Sequence, residues 1–178
     1  MPQPSRIIVL NGPTGVGKTT TGRLLARRGR NGACVHGDEL AAFIVRRVED
    51  EVGLGLGYVN GATVASNFVE AGYDLVVYDY CFEREANVAR FLGACTRTAD
   101  VFLFTLWAPL EIVRQREASR PGRTRLGARV LDSYETMGNS LDRLGQVVDC
   151  RDAPESVAAR IDRLTMDSCG LLRAAEAA

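Results

Sequence analysis

The sequence predicts an α/β domain in which a five-stranded parallel sheet is covered by helices on both faces. Three observations carry that expectation. Short runs rich in β-branched and aromatic residues alternate with longer stretches of helical composition, as in a series of β-α-β units. The short runs are apolar almost throughout instead of alternating with polar residues, as strands buried on both faces are. A length of 178 residues, 46% hydrophobic and 25% charged, suits one domain with a core of its own.

The first strand is expected at residues 6–10, where Ile7, Ile8 and Val9 are β-branched. A helix follows over 19–28, with Leu24 and Leu25 among good helix formers. The other strands are expected at 33–36, 74–79, 100–106 and 146–149. Helical patterns lie between and after them at about 39–48, 59–71, 84–97, 109–119, 127–134 and 154–167. Gly53, Gly55, Gly57 and Gly61 read as a mobile loop on the substrate side or as a plain connector, carrying Leu54, Leu56 and Tyr58. No internal repeat and no domain-sized linker interrupts the series, so a single domain spanning 1–178 is expected.

Between the first strand and the first helix stands Gly12-Pro13-Thr14-Gly15-Val16-Gly17-Lys18-Thr19, a complete G-x-x-x-x-G-K-[ST] motif. Lys18 is the only lysine of the chain; every other basic position is arginine. A compact ammonium on a flexible stem can sit between phosphates where a planar guanidinium would not fit the same cradle. Strand, glycine loop and helix come in the order the motif needs. Backbone N–H groups of Gly15 to Thr19 are then expected to face a phosphate, reinforced by the positive end of the helix dipole. Lys18 would reach the β- and γ-phosphates, the Thr19 hydroxyl would ligate Mg²⁺, and Thr20 would complete the nucleotide-binding stretch.

In an open parallel sheet, ligands bind beyond the carboxyl ends of the strands. That rule selects Asp38 after the second strand, Asp79 at the end of the third and the loop that follows Asp149. Asp79 ends the apolar run Leu75-Val76-Val77-Tyr78, and a carboxylate delivered there suits a hard cation such as Mg²⁺. The bland alternative is an aspartate that opens the next loop. Asp38 could accept a proton from an attacking hydroxyl or simply cap the next helix, and the two roles are compatible. His36, the sole histidine, reads as a hydrogen-bonded core residue. From Arg114 to Arg129 there are six arginines and one acid. Arg116 and Arg120 fall on one helical face, and Pro121-Gly122 ends that helix so that Arg123 can swing over the same space. Such a hinged cluster could close on a transferring phosphoryl group; otherwise it is a solvated face.

Net charge is zero, so no global field draws the protein to nucleic acid or to a membrane, and neither partner is expected. Five cysteines without a CxxC pair suggest reduced thiols and not a disulfide framework or a zinc site. No signal peptide and no bilayer-length apolar stretch is apparent, which gives the expectation of a cytoplasmic protein, monomeric or homo-oligomeric.

The chain resembles the small P-loop kinases of the shikimate kinase, gluconate kinase and chloramphenicol phosphotransferase group over nearly its whole length. Beyond the glycine loop, the resemblance rests on Val35-His-Gly-Asp38-Glu-Leu40, on Val76-Val-Tyr-Asp79 with Phe82, on Arg116-Glu-x-x-Arg120-x-x-Arg123, and on Val148-Asp149-Cys-Arg-Asp-Ala-Pro154-Glu-Ser-Val157. Their spacing is closest to the chloramphenicol phosphotransferase-like branch. Shikimate kinases carry Asp-x-Asp where this chain has His36-Gly37-Asp38. The resemblance implies a P-loop NTPase fold with strand order 2-3-1-4-5 and an arginine-rich lid. It implies ATP and Mg²⁺ as cofactors, Asp38 as the base that activates a substrate hydroxyl, and Arg120 and Arg123 as lid arginines on ATP, with Arg120 catalytic beside Lys18; Arg116, on the same helical face as Arg120, is expected to join them on the nucleotide. It makes Arg151 to Pro154 part of the adenine pocket. The expected reaction is transfer of the γ-phosphoryl group to a hydroxyl of a small molecule. Phe43, Leu54, Tyr58, Tyr80 and Phe82, with Arg46, Arg47 and Arg84, would form an acceptor pocket suited to an amphiphilic metabolite such as a natural-product antibiotic. A nucleoside or nucleotide acceptor is the runner-up, and a nucleotide-dependent switch the rival from another class.

Overall fold

The computed structural model describes residues 4–45, 55–119 and 128–175. Strand β1 (Ser5–Asn11) leads into helix α1 (Lys18–Ala26), β2 (Gly32–His36) and the single-turn α2 (Gly37–Ala41). After α3 (Leu56–Glu70) come β3 (Leu75–Asp79), α4 (Glu85–Ala94), β4 (Ala99–Trp107), α5 (Leu110–Ala118) and α6 (Ala128–Gly138). A 3₁₀ turn at Leu141–Arg143 precedes β5 (Gln146–Asp149), α7 (Pro154–Met166) and β6 (Leu171–Arg173).

Five strands run parallel in the order β2-β3-β1-β4-β5, as expected. A sixth strand, not expected from the sequence, joins them. β5 pairs only with Phe104 to Trp107, which leaves the first half of β4 with an open edge. β6 covers that edge antiparallel, opposite Val101 and Phe102. Three residues, Leu171-Leu172-Arg173, are too short a run to announce a strand. Arg173 then ties the segment down by donating to the carbonyls of Leu92 and Thr96.

Alternate side chains of each strand point to opposite faces, and both faces are buried. Ile8, Leu10, Val77, Phe104 and Leu106 pack with Leu25 of α1, Val113 of α5 and Val157 and Ile161 of α7. Ile7, Val9, Val76, Tyr78 and Leu103 pack with Ala62, Ala65 and Val69 of α3 and Phe91 of α4. The three layers are thereby complete. Burial also pushes the Cys34 and Cys95 thiols up to about 12, which keeps them protonated.

Two expectations need correction. The helix foreseen at 39–48 stops at Ala41. Phe43 and Val45 beyond it are 79% and 99% exposed, so no core recruits them into a helical face; residues 46–48 lie outside the described ones. The glycine stretch is likewise no loop from Leu56 onward, because α3 begins there with Gly55 as its left-handed cap (φ 62°). Gly57 and Gly61 are helical, and a Cβ at Gly61 would lie 2.2 Å from Tyr78 Cζ. Glycine in mid-helix costs about 1 kcal/mol, but here it lets a fully buried tyrosine ring lie against the helix backbone. The Tyr78 hydroxyl finishes the contact by donating to the Gly57 carbonyl at 2.7 Å.

Gly61→Ala is therefore expected to lower stability by about 2 kcal/mol through overpacking, despite alanine's better helix propensity. Urea denaturation of Gly61→Ala, Tyr78→Val and the double variant checks this. Loss in the double variant should be well below the sum, and strict additivity would contradict the contact.

Candidate active site

The carboxyl ends of β1, β2 and β3 meet at a cleft of about 240 Å³. The loop from Gly12 wraps its floor with Gly12, Gly15 and Gly17 all at positive φ. Gly17, at φ 110°, is the residue from which α1 starts, and only glycine adopts that conformation without strain. The first N–H groups of a helix have no partner inside it, so α1 turns its positive end toward the cleft. Thr14 to Thr21 line it. Lys18 folds over the loop, its Nζ donating to the carbonyls of Gly12 at 2.7 Å and Pro13 at 3.1 Å. Carbonyl oxygens thus hold the ammonium over the glycine loop.

Asp38 and Asp79 face the loop from the other side. Asp38 is exposed and sits in the first turn of α2, whose capping residue is His36, so the plain capping role is not the one it fills. Asp79 is 4% exposed. Its Oδ1 lies 3.0 Å from His36 Nδ1, and its Oδ2 is buried with no hydrogen-bond partner. An orphaned carboxylate oxygen inside a cleft is the feature a hard cation or its water shell would satisfy. Among the described residues no group of three or more His, Cys, Asp or Glu could hold a metal by itself. Thr19 and Asp79 therefore fit Mg²⁺ in the way that suits this ion, through few protein oxygens with phosphates and water supplying the rest.

Arg116 of α5 reaches the opposite rim. Its Nη1 donates to the Val16 carbonyl at 3.1 Å and its Nη2 to that of Arg151 at 3.4 Å, joining the glycine loop to the loop after β5. From that second loop Cys150 and Asp152, and from the first turn of α7 Pro154 and Val157, line the cleft. Arg151 does not: its side chain is exposed and grips Asp149, with Nε 2.8 Å from Oδ2, so only its carbonyl faces this rim. Arg120 and Arg123 lie outside the described residues, as do Arg46, Arg47 and Leu54.

The expected acceptor wall is only partly there. Phe82 is fully buried, packed on Tyr78 and Phe91, and belongs to the core. The Tyr58 hydroxyl donates to the Cys81 carbonyl at 3.1 Å and accepts from Asn87 at 3.0 Å. Phe43 and Arg84 are exposed. Tyr80 lines the cleft beside Asp79 and Cys81.

Asn11 is a further residue of the site, outside the candidates named from the sequence. It is fully buried at the end of β1 and clamps the turn after β3: Phe82 N–H donates to Asn11 Oδ1 at 2.8 Å, and Nδ2 donates to the Phe82 carbonyl and to Thr105 Oγ1, each at 3.0 Å. A polar residue ending an apolar strand just before the glycine loop was the available signal.

No protein-family model and no curated protein sequence matches the chain. Solved structures do match it. A sugar kinase from Janibacter sp. HTCC2649 superposes with a TM-score of 0.68 at 19% identity, over 93% of this chain and 96% of that one. The fold is that of the small P-loop kinases. The tunicamycin resistance protein of Deinococcus radiodurans follows with a TM-score of 0.62 at 19% identity, over 97% and 99% of the two chains. Shikimate kinase from Acinetobacter baumannii, solved with shikimate, gives 0.61 at 20% identity over 93% and 95%. At such identities the likeness concerns architecture alone.

Asn11→Leu keeps the volume but leaves the Phe82 N–H and carbonyl unpaired in the core, and is expected to cost about 3 kcal/mol. Hydrogen exchange should show the Phe82 amide losing protection ahead of the β1 amides. Unchanged protection at Phe82 would contradict the clamp.

Proposed function

We propose that this chain is an ATP-dependent phosphotransferase that moves the γ-phosphoryl group to a hydroxyl of a small molecule. The observation that carries the reading is that one cleft is lined by Lys18, Thr19 and the helix N-terminus on one side and by Asp38 and Asp79 on the other. A phosphate cradle facing an exposed carboxylate is an arrangement for transfer to an acceptor. The glycine loop and α1 would fix the triphosphate, and Lys18 would stabilise charge on the β- and γ-oxygens. Asp38 would accept the proton of the attacking hydroxyl. Thr19 and Asp79 would hold Mg²⁺, which when bound neutralises charge on the phosphates. Arg116, Pro154 and the loop after β5 would flank the adenine, with Arg120 and Arg123 closing over the phosphates. Phosphoryl transfer asks little covalent chemistry of a protein, so positioning and charge would supply most of the rate.

For the acceptor we propose an amphiphilic hydroxyl compound, natural-product antibiotics included. Tyr80 beside Asp38 offers a ring face, and the fold likeness to a tunicamycin resistance protein is in keeping with that class. We take the chain as a single kinase domain acting in the cytoplasm. Among the described residues no helix is long and apolar enough to cross a membrane.

The test is acceptor-dependent ADP release with Mg·ATP across nucleosides, sugar acids and hydroxylated antibiotics, with Lys18→Ala as the blank. Asp38→Asn should bind ATP as tightly as the parent and lose about 10²-fold or more in kcat with the acceptor found. Full activity in Asp38→Asn would remove the base assignment. ATP binding without any acceptor-stimulated turnover would favour a switch over a kinase.

A further inference from the structure

His36 ends β2 one strand away from β1, and its ring is held from both sides. Arg23 Nε donates to His36 Nε2 at 3.1 Å, while His36 Nδ1 lies 3.0 Å from Asp79 Oδ1. An arginine Nε always carries its hydrogen, so Nε2 accepts and the ring proton sits on Nδ1, aimed at the carboxylate. Cys34 Sγ, at 4.0 Å from Nδ1, is the weaker neighbour. His36 and Asp79 stand opposite each other in the β2–β3 register and are 8% and 4% exposed, so the bond is shielded from water. With its Nε2 lone pair occupied by Arg23, His36 is not placed to act as a base.

The bond uses one oxygen of Asp79 and leaves Oδ2 buried without a partner. Burying a carboxylate oxygen unpaired is costly unless something in the cleft takes it up. Without a second anchor the carboxylate could also turn about its last torsion, which is soft and broad.

We propose that His36, fixed in one tautomer by Arg23, is a positioning residue that aims Asp79 Oδ2 at the Mg²⁺ of a bound nucleotide or at a water of its shell. The inference rests on the nucleotide site proposed above. It gives the Arg23–His36–Asp79 chain the task that partners of metal-ligating carboxylates perform elsewhere, which is orientation of the oxygen that meets the metal.

The experiment measures Mn²⁺ binding by EPR to protein saturated with AMPPNP, for wild type, His36→Leu, His36→Asn and Arg23→Met. AMPPNP affinity without metal and thermal unfolding are read alongside. His36→Leu should weaken Mn²⁺ by about tenfold or more while metal-free AMPPNP affinity stays within about twofold. His36→Asn, whose amide can donate from the place of Nδ1, should remain within about threefold of wild type. Arg23→Met alters only the exposed end of the chain, keeps the fold if His36→Leu does not, and should give an intermediate loss. Mn²⁺ held as in wild type by both His36→Leu and Arg23→Met overturns the inference and leaves the kinase reading standing. Equal loss in the leucine and asparagine variants also overturns it, since the role would then be structural only. A wild-type protein that binds no Mn²⁺ with AMPPNP overturns both.

Discussion

The site depends on strand register. β1 pairs with β3 so that Leu10 faces Asp79, and β2 pairs with β3 so that His36 faces the same residue. Tyr80 N–H continues the ladder onto the Leu10 carbonyl at 3.2 Å. Gly12 therefore leaves β1 just where the acid ends β3 and where Gly37-Asp38 leaves β2. A slip of one residue would turn Asp79 to the wrong face and bury a tyrosine where helices α1 and α7 leave no room. Because both faces of the sheet are apolar, polarity alone does not forbid such a slip. Shape does: Tyr78 fits only the face where Gly61 admits its ring and the Gly57 carbonyl takes its hydroxyl. A core packing detail thus fixes the placement of a polar site on the far side of the same residue pair.

The cleft gathers its charge locally in a chain with zero net charge. Lys18, Arg116 and the start of α1 supply positive potential, and Asp38 and Asp79 answer across a narrow gap. Both cationic side chains are parked on backbone carbonyls of the glycine loop, Lys18 on Gly12 and Pro13 and Arg116 on Val16. Neutral acceptors hold them in place without neutralising them, so their charge stays available to an anion. The Asn11 clamp performs the matching task for the opposite wall of the cleft, because the turn carrying Tyr80 and Cys81 hangs from it.

Much of this was legible in the sequence because it is written in local pattern. Apolar β-branched runs marked all five parallel strands, the glycine-lysine motif marked the loop, and the rule about strand ends picked out Asp38 and Asp79. What escaped depends on partners distant in the chain. Gly57 and Gly61 look like loop residues until Tyr78 and Tyr80 are seen lying against them. Phe82 looks like a pocket residue until its place between Tyr78 and Phe91 is known. Arg151 is the local exception: expected at the adenine pocket, its side chain grips Asp149 two residues away. β6 owes its existence to an open stretch of β4 that no residue of β6 itself reveals.

The most direct test is a crystal structure of the protein with AMPPNP and Mg²⁺. The β-phosphate is expected in the loop from Gly12 to Thr19, with Lys18 Nζ moved from the Gly12 carbonyl onto phosphate oxygens. The metal is expected between the Thr19 hydroxyl and Asp79 Oδ2, directly or through one water. Nucleotide bound elsewhere, or a metal that leaves Asp79 Oδ2 still without a partner, would contradict this arrangement.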